Sequence, residues 1–384
     1  MAFLSLRRDF GDDQALPPQL PLIPSPVGGT PSPIDYAPSC LFVALYALLV
    51  PLALYRIFAR SSRNLIVVFT LGLIAERIVF FVIRAWEAHA PNSQRTSPVF
   101  LAYAQSTLAA GFVSVGKDLV AAVRCLLVRA ATTRASESES EAANALEAEA
   151  ELASEKSPSS ALIGTATFAD EPPKTARIST LPLAMPFALS IGPSTRPTRA
   201  SGGWWRWMTA KRERTLYDIA CVCMSVAFVI VIALSLGSGG VYAKGMYVES
   251  WASRTLQLRY ISCGLALVLI SIVHMGAFWA WARNPTMGYG SVTIMSAICT
   301  LLTIVGVYRL IVMGSETENL LASTGSLNSN QSKAAFYVFH IAPEWLAIAI
   351  VLGVNVRERF VLGGRIDATD TAAATMIAIT SVAV

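Results

Sequence analysis

The chain has 384 residues, of which 54% are hydrophobic and only 14% are charged, and its net charge is +5. A soluble domain has about 25% charged residues, so this composition excludes an ordinary soluble enzyme and predicts an integral membrane protein. The positive charge is no sign of nucleic-acid binding, because the basic residues flank long apolar runs, where membrane topology requires them.

Apolar runs of about 20 residues cross the hydrocarbon core as helices, because their backbone polar groups must pair internally there. The sequence therefore predicts an all-α fold, a polytopic bundle of about seven transmembrane helices. In chain order, the predicted spans are Cys40 to Phe58, Leu65 to Trp86, Pro98 to Arg124, Leu216 to Leu236, Tyr260 to Ala282, Ser291 to Met313 and Ala335 to Val356.

The spans form two membrane segments, residues 39–130 with three spans and residues 204–357 with four. Residues 1–38 are predicted to be a Pro-rich extracellular tail without a signal peptide. Residues 358–384 are predicted to be a cytoplasmic tail. Its apolar end is too short to cross a bilayer.

Residues 131–203 differ in composition from the rest of the chain, with Ser/Glu, Ala/Glu and then Pro/Ser/Thr-rich sequence. They are predicted to be a disordered cytoplasmic loop, in which Glu141 to Glu155 could form a short, fluctuating helix. Ser136 and Ser138 are each followed by Glu at the third position, a pattern that favours phosphorylation by an acidophilic kinase.

Lys and Arg collect on the cytoplasmic side of membrane proteins. Basic residues follow the first, fifth and seventh predicted spans and precede the fourth, which predicts an outside N-terminus and an inside C-terminus. The plasma membrane is the expected location. Asn330 begins an N-x-[ST] acceptor on the predicted outer side and is a candidate glycosylation site.

Charged side chains at membrane depth are costly and are often functional. Glu76 and Arg77 lie roughly 15 Å from either end of their span, and Glu344 lies roughly 14 Å below the outer end of its own. His340 lies one turn above Glu344 on the same face, and Arg309 has about the depth of His340. These five residues could line one polar cavity in the outer half of the bundle. Two interpretations remain open: a ligand or transport site, or ion pairs that only fix helix packing.

Pro343 directly precedes Glu344 and removes a backbone donor, so it leaves the carbonyl near Phe339 without its usual partner. Such a helix break is tolerated where protein or a water-filled cavity satisfies the backbone. A carboxylate beside the break suggests a site, with Arg309 or Arg77 as its partner.

Enzymatic chemistry is not expected. An intramembrane zinc hydrolase needs several ligands at one depth, and the three histidines, His89, His274 and His340, are predicted at different depths. No G-x-S-x-G, H-E-x-x-H or P-loop motif occurs. We expect no metal and no cofactor.

Some residues resemble those of the fungal lipid-translocating exporter family, which has seven spans and is associated with resistance to aminocholesterol and other amphiphiles. The resemblance lies in Glu76 followed by Arg84, in Tyr308-Arg309 and in Phe336-Tyr337-Val338-Phe339, and it covers about a tenth of the chain at motif level. His340 stands where that family usually has an aspartate. The resemblance implies a distant relative of the exporters, and the alternative is a separate fungal seven-span family.

Three functions are compatible with these features. The first is translocation or export of a lipid or an amphiphilic small molecule, which the charged cluster and the exporter-like residues favour. The second is a receptor-like sensor with a phosphorylatable loop, although the sequence has no Asp-Arg-Tyr or Asn-Pro-x-x-Tyr motif of G-protein-coupled receptors. The third is a membrane scaffold. The expected partners are membrane lipids and an amphiphilic small molecule, and nucleic acid is not expected.

Overall fold

The computed structural model describes residues 22–59, 65–155, 203–283, 289–322 and 326–354, and these residues are almost entirely helical. The elements in chain order are β1 (Ile23–Pro24), α1 (Pro33–Phe58), α2 (Leu65–Glu87), α3 (Asn92–Arg95), α4 (Pro98–Glu155), α5 (Gly203–Gly245), α6 (Glu249–Arg283), α7 (Tyr289–Val312), β2 (Glu316–Thr317), α8 (Asn330–Phe336), a π-helical turn (Tyr337–Ile341) and α9 (Ala342–Gly353).

Helices occupy all seven places where the sequence predicts a span. By length and composition, six helical stretches of the described residues are suited to cross a membrane: α1, α2, α5, α6, α7 and the continuous stretch from α8 to α9. The chain is therefore an all-α, multi-pass membrane protein. The stretch that contains the third predicted span, α4, is not among the six.

Residues 100–128 of α4 lie in the interior of the bundle. No residue between Phe100 and Val128 is exposed, whereas the apolar helices around it expose large side chains such as Leu48, Met275 and Ile311. Small residues allow this close packing: a Cβ at Gly116 would lie 3.0 Å from the Phe228 ring. Because neighbouring helices rather than lipid surround it, α4 can carry more polar and small residues than the outer helices do.

Two helices extend beyond their predicted bounds for identifiable reasons. Helix α1 begins at Pro33 rather than near Cys40, since proline suits the first helical position and Asp35 accepts a hydrogen bond of 2.9 Å from the Ser32 N–H. Helix α4 continues to Glu155, whereas the sequence predicted a disordered loop from residue 131 onward with a short helix possible over Glu141 to Glu155.

The Ala/Glu-rich composition of residues 131–155 favours helix, and the helix that precedes them removes the nucleation cost. The Pro/Ser/Thr-rich remainder of the predicted loop and the predicted C-terminal tail lie outside the described residues. The chain divides into two units, residues 1–131 with 213–384, and Thr132–Arg212. All charged groups discussed below belong to the first unit.

Residues 22–32, here called the inserted segment, are packed into the bundle, although the sequence assigned them to a tail. Pro24 to Pro31 are buried, with Ser25 and Thr30 at 0% and 1% exposure. Strand β1 pairs with β2 in antiparallel register, Ile23 opposite Thr317. The segment turns at Gly28, whose φ of +81° favours glycine and whose added Cβ would lie 2.9 Å from the Phe336 ring.

Candidate functional site

A buried ion pair joins α2 to α9 near the centre of the cluster expected from sequence. Arg77 donates to Glu344 Oε1 from Nε at 3.0 Å and from Nη2 at 2.5 Å, and both side chains have 0% exposure. The Nη2 group also donates to the Thr107 carbonyl of α4 at 3.2 Å. Of the two partners that the sequence left open for Glu344, the structure places Arg77 beside it.

The backbone of α4 forms one wall of this pair. A Cβ at Gly111 would collide with the Arg77 guanidinium and would lie 2.5 Å from Glu344 Oε1. Only glycine therefore lets the ion pair approach α4 this closely.

Glu76 lies at the edge of the same group. Its Oε2 accepts from Arg77 Nη1 at 2.8 Å, and its Oε1 accepts from the Tyr103 hydroxyl at 3.3 Å. Because 27% of the Glu76 side chain is exposed, this carboxylate connects the buried pair with the surface of the bundle.

The helix break at Pro343 takes the form of a wide turn. The backbone between α8 and α9 adopts a π-helical conformation over Tyr337–Ile341, and the Ala342 N–H donates to the Tyr337 carbonyl five residues earlier. Pro343 then lies in the first turn of α9, immediately before Glu344. Single π-helical turns within α-helices are frequent at functional sites. This one shifts the backbone hydrogen-bond pattern at the place where Pro343 has no N–H to donate.

His340 lies on the inner side of the π-helical turn. Its Nε2 is 3.8 Å from Glu344 Oε2, and its ring stacks on Phe336 with centroids 5.5 Å apart. Both ring nitrogens of His340 and the Oε2 of Glu344 are buried without a hydrogen-bond partner among the described residues. Buried polar atoms are nearly always paired, so these three mark a place where an additional group can bind. Arg77, His340 and Glu344 are called the Glu344 site below.

Arg309 of α7 has 2% exposure and does not pair with Glu344. The centroid of the Phe112 ring is 5.8 Å from its guanidinium carbon, and the Cys263 thiol of α6 donates to the carbonyl of Gly306, three residues earlier on α7, at 3.4 Å. Among the described residues, no carboxylate lies within 4.0 Å of Arg309. The structure thus brings four of the five predicted residues into contact and places Arg309 beside them without a counter-ion.

A second buried charged cluster was missed from the sequence. Asp35 of α1 lies 3.1 Å from Arg84 Nη2 and in contact with Lys333 Nζ, and Tyr337 Oη lies 3.2 Å from Asp35 Oδ1. All four residues are buried, and they are called the Asp35 cluster. The Arg84 guanidinium lies over the Phe336 ring at 5.1 Å, so Phe336 separates this cluster from His340.

Cationic side chains hold the inserted segment through its carbonyl oxygens. Arg84 Nη2 donates to the Gly28 carbonyl at 2.5 Å, and Lys333 Nζ donates to the Thr30 carbonyl at 2.7 Å. Arg259 Nη1 lies 3.4 Å from the Ser25 carbonyl. A buried non-helical backbone must find such partners, and here α2, α6 and α8 supply them.

The predicted modification sites are placed as follows. Asn330 is exposed and is the first residue of α8. Ser136 and Ser138 lie on α4, and their side chains are outside the described part of the chain.

In comparisons with known proteins, no family model, no curated protein and no solved structure matches this chain.

Proposed function

We propose that this protein binds an amphiphilic small molecule or lipid and moves it across the membrane, with the Glu344 site as the place where the polar part of the ligand binds. The observation that carries the proposal is a carboxylate at a helix break: Glu344 follows a π-helical turn and has a buried oxygen without a hydrogen-bond partner in the described part of the chain. Irregular backbone at membrane depth is tolerated where it is enclosed by protein or lines a cavity.

The surroundings support an amphiphilic ligand rather than a simple ion. The aromatic rings of Phe336 and Tyr308 lie near His340, and the Phe112 ring lies near Arg309. Binding sites of this kind combine an apolar lining with a few charged groups that fix orientation. The exporter-like residues Arg84 and Arg309 are both buried charges of the bundle.

Within this proposal α4 also crosses the membrane, which brings the number of spans to seven. The N-terminus lies outside, and the protein acts at the plasma membrane. Lys and Arg next to the spans favour this orientation. The inserted segment then lies at the outer end of the bundle, above the Glu344 site.

The experiment is a transbilayer-movement assay with the full chain in liposomes. The probes are a fluorescently tailed phosphatidylcholine and a fluorescently tailed amino-sterol, each quenched from outside. We expect faster loss of protected fluorescence with the wild-type protein than with empty liposomes, and a strong reduction with Glu344→Gln. The control is Glu318→Gln, which changes an exposed carboxylate outside the cluster. Undiminished movement in well-folded Glu344→Gln protein would remove this site from the function.

A receptor-like sensor is the second candidate, and the inserted segment favours it. This segment occupies the end of the bundle and binds side chains of α2, α6 and α8. A ligand that displaced it would change how these helices are held together. A sensor would bind an amphiphile without moving it, so the liposome assay separates the two functions.

A further inference from the structure

The buried interior contains more positive than negative charge. Apart from His340, seven charged side chains of the described residues are buried almost completely. Five are cations and two are anions: Arg77, Arg84, Arg259, Arg309 and Lys333 against Asp35 and Glu344.

The two buried carboxylates already have partners. Asp35 forms ion pairs with Arg84 and Lys333, and Glu344 forms an ion pair with Arg77. Among the described residues, neither Arg259 nor Arg309 has a carboxylate within 4.0 Å. Arginine stays protonated in proteins, so these two buried charges persist and require compensation.

The groups around the two arginines provide only part of that compensation. Arg259 Nη2 donates to the Gln105 side-chain oxygen at 3.0 Å and approaches the Ser25 carbonyl. These oxygens are neutral dipoles. For Arg309, the described residues supply the face of the Phe112 ring. The Nε of both arginines and the Nη1 of Arg309 are buried without a hydrogen-bond partner among the described residues.

The two arginines share one location between α6 and α7. Cys263 lies four residues after Arg259 on α6, so the two are on the same face of that helix. The Cys263 thiol donates to the Gly306 carbonyl of α7 at 3.4 Å, and Gly306 lies three residues before Arg309 on the same face of α7. His340, whose ring nitrogens have no hydrogen-bond partner among the described residues, packs near Tyr308, the residue directly before Arg309, with ring centroids 6.2 Å apart. The unused donors therefore lie around one place.

We infer that Arg259 and Arg309, with His340 at the edge, bind an anionic group, a carboxylate or a phosphate, and that the preferred amphiphile has such a head group. Guanidinium forks match both groups by two parallel hydrogen bonds. One anion would offset the uncompensated charge and occupy the unused donors at the same time. The inference deepens the proposed function, because it names the charge of the ligand for the region of the Glu344 site.

The chemistry is shared by a lipid head group and a free anion, and the test separates them. The full chain is purified in an uncharged detergent, and its thermal unfolding is followed with added lysophosphatidic acid, with monoacylglycerol of the same tail, and with inorganic phosphate alone. We expect lysophosphatidic acid to raise the unfolding temperature as much as monoacylglycerol does, but at a concentration at least about tenfold lower. Loss of one charge-assisted hydrogen bond weakens binding by about this factor. An equal effect of phosphate alone would identify a free anion as the ligand.

The variant Arg309→Gln should lose the preference for lysophosphatidic acid. Without added anion it should unfold at the wild-type temperature or above, because it removes an uncompensated buried charge. The matched control is Arg254→Gln, which changes an exposed arginine on the same helix as Arg259 and should respond as the wild type does. Arg309→Lys keeps the charge and tests the site if the glutamine variant does not fold.

Equal stabilisation of the wild-type protein by lysophosphatidic acid and monoacylglycerol would overturn the inference, and so would an unchanged preference in Arg309→Gln. These outcomes are separate from a failure of the proposed function. Anion binding without movement of any lipid contradicts translocation and leaves the anion site in place. Movement of lipids without an anion preference contradicts the anion site and leaves translocation in place.

Discussion

Arg77 gives two hydrogen bonds to one oxygen of Glu344 and none to the other. Nε and Nη2 both donate to Oε1, whereas Oε2 is buried without a hydrogen-bond partner among the described residues. A purely structural pair would be expected to use both oxygens in the parallel, bidentate geometry that arginine and carboxylate favour. The free oxygen faces His340, 3.8 Å from its Nε2. The pair is thus held by one oxygen, and the other is the oxygen that the proposed ligand would contact.

The first prediction concerns the two halves of this pair. Arg77→Gln leaves Glu344 buried without a counter-ion and should destabilise the protein by roughly 3–5 kcal/mol. Glu344→Gln should cost less, because Arg77 keeps Glu76 at 2.8 Å. Thermal unfolding in detergent and the amount of folded protein recovered from membranes measure both effects.

The double variant Arg77→Gln with Glu344→Gln separates stability from function. It removes both charges and should regain most of the folded yield that Arg77→Gln loses. If the pair only joins helices, activity in the transbilayer assay should return with the yield. Recovery of folding without recovery of activity is the outcome expected for a ligand site.

The second prediction uses Gly111 of α4. A methyl group there would collide with the Arg77 guanidinium, so Gly111→Ala should destabilise the protein by about 1–3 kcal/mol and disturb the pair. Gly72 on α2 is a matched control, since a Cβ at that position has no atom within 4 Å. Gly72→Ala should be neutral or stabilising by up to about 1 kcal/mol through helix propensity. Equal unfolding temperatures for the two variants would contradict the close approach of α4 to the ion pair.

Periodic, local patterns in the sequence correctly predict the parts of the fold that depend on them, such as the bounds of the apolar helices. Helix α2 begins at the predicted Leu65 and ends one residue after the predicted Trp86. Because the rise per residue of a helix is fixed, the positions of Glu76, Arg77 and Glu344 along their helices were enough to predict that they lie close together.

The Asp35 cluster was missed because its members lie at or beyond the ends of the apolar runs. Asp35 and Lys333 were each assigned to a tail or connection, where a charge needs no partner. The inserted segment was missed for a related reason. Its Pro- and Gly-rich sequence is typical of an exposed loop, and only distant residues such as Arg259 and Lys333 satisfy its buried backbone.

The third prediction tests the inserted segment by chemical accessibility. In a background without the native cysteines, Ser25→Cys should be protected from a membrane-impermeant maleimide, because Ser25 has 0% exposure. Leu22→Cys, three residues earlier and 51% exposed, should react. Rapid labelling at position 25 in folded protein would show that the segment does not stay inside the bundle.

Adding Asp35→Asn to the Ser25→Cys protein extends this test. The change leaves Arg84 and Lys333 without the carboxylate that they share, and both also hold carbonyls of the segment. We expect the segment to be released more often and the labelling rate at position 25 to rise. Glu318→Asn, at an exposed position, should leave that rate unchanged.

The last prediction concerns topology and the third span. If α4 crosses the membrane with the other six apolar stretches, the two ends of the chain lie on opposite sides, and the basic flanks place the N-terminus outside. In intact cells an N-terminal epitope tag should then be accessible to antibody, and a C-terminal tag should become accessible only after permeabilisation. Asn330 is exposed on the predicted outer side, so its acceptor sequence should carry a glycan in a eukaryotic host, and Asn330→Gln should remove the corresponding mobility shift.

Accessibility of both tags in intact cells would mean an even number of crossings, so α4 would not span the bilayer. A protected N-terminal tag with an exposed C-terminal tag would keep seven spans and reverse the orientation, and the Glu344 site would then open towards the cytoplasm.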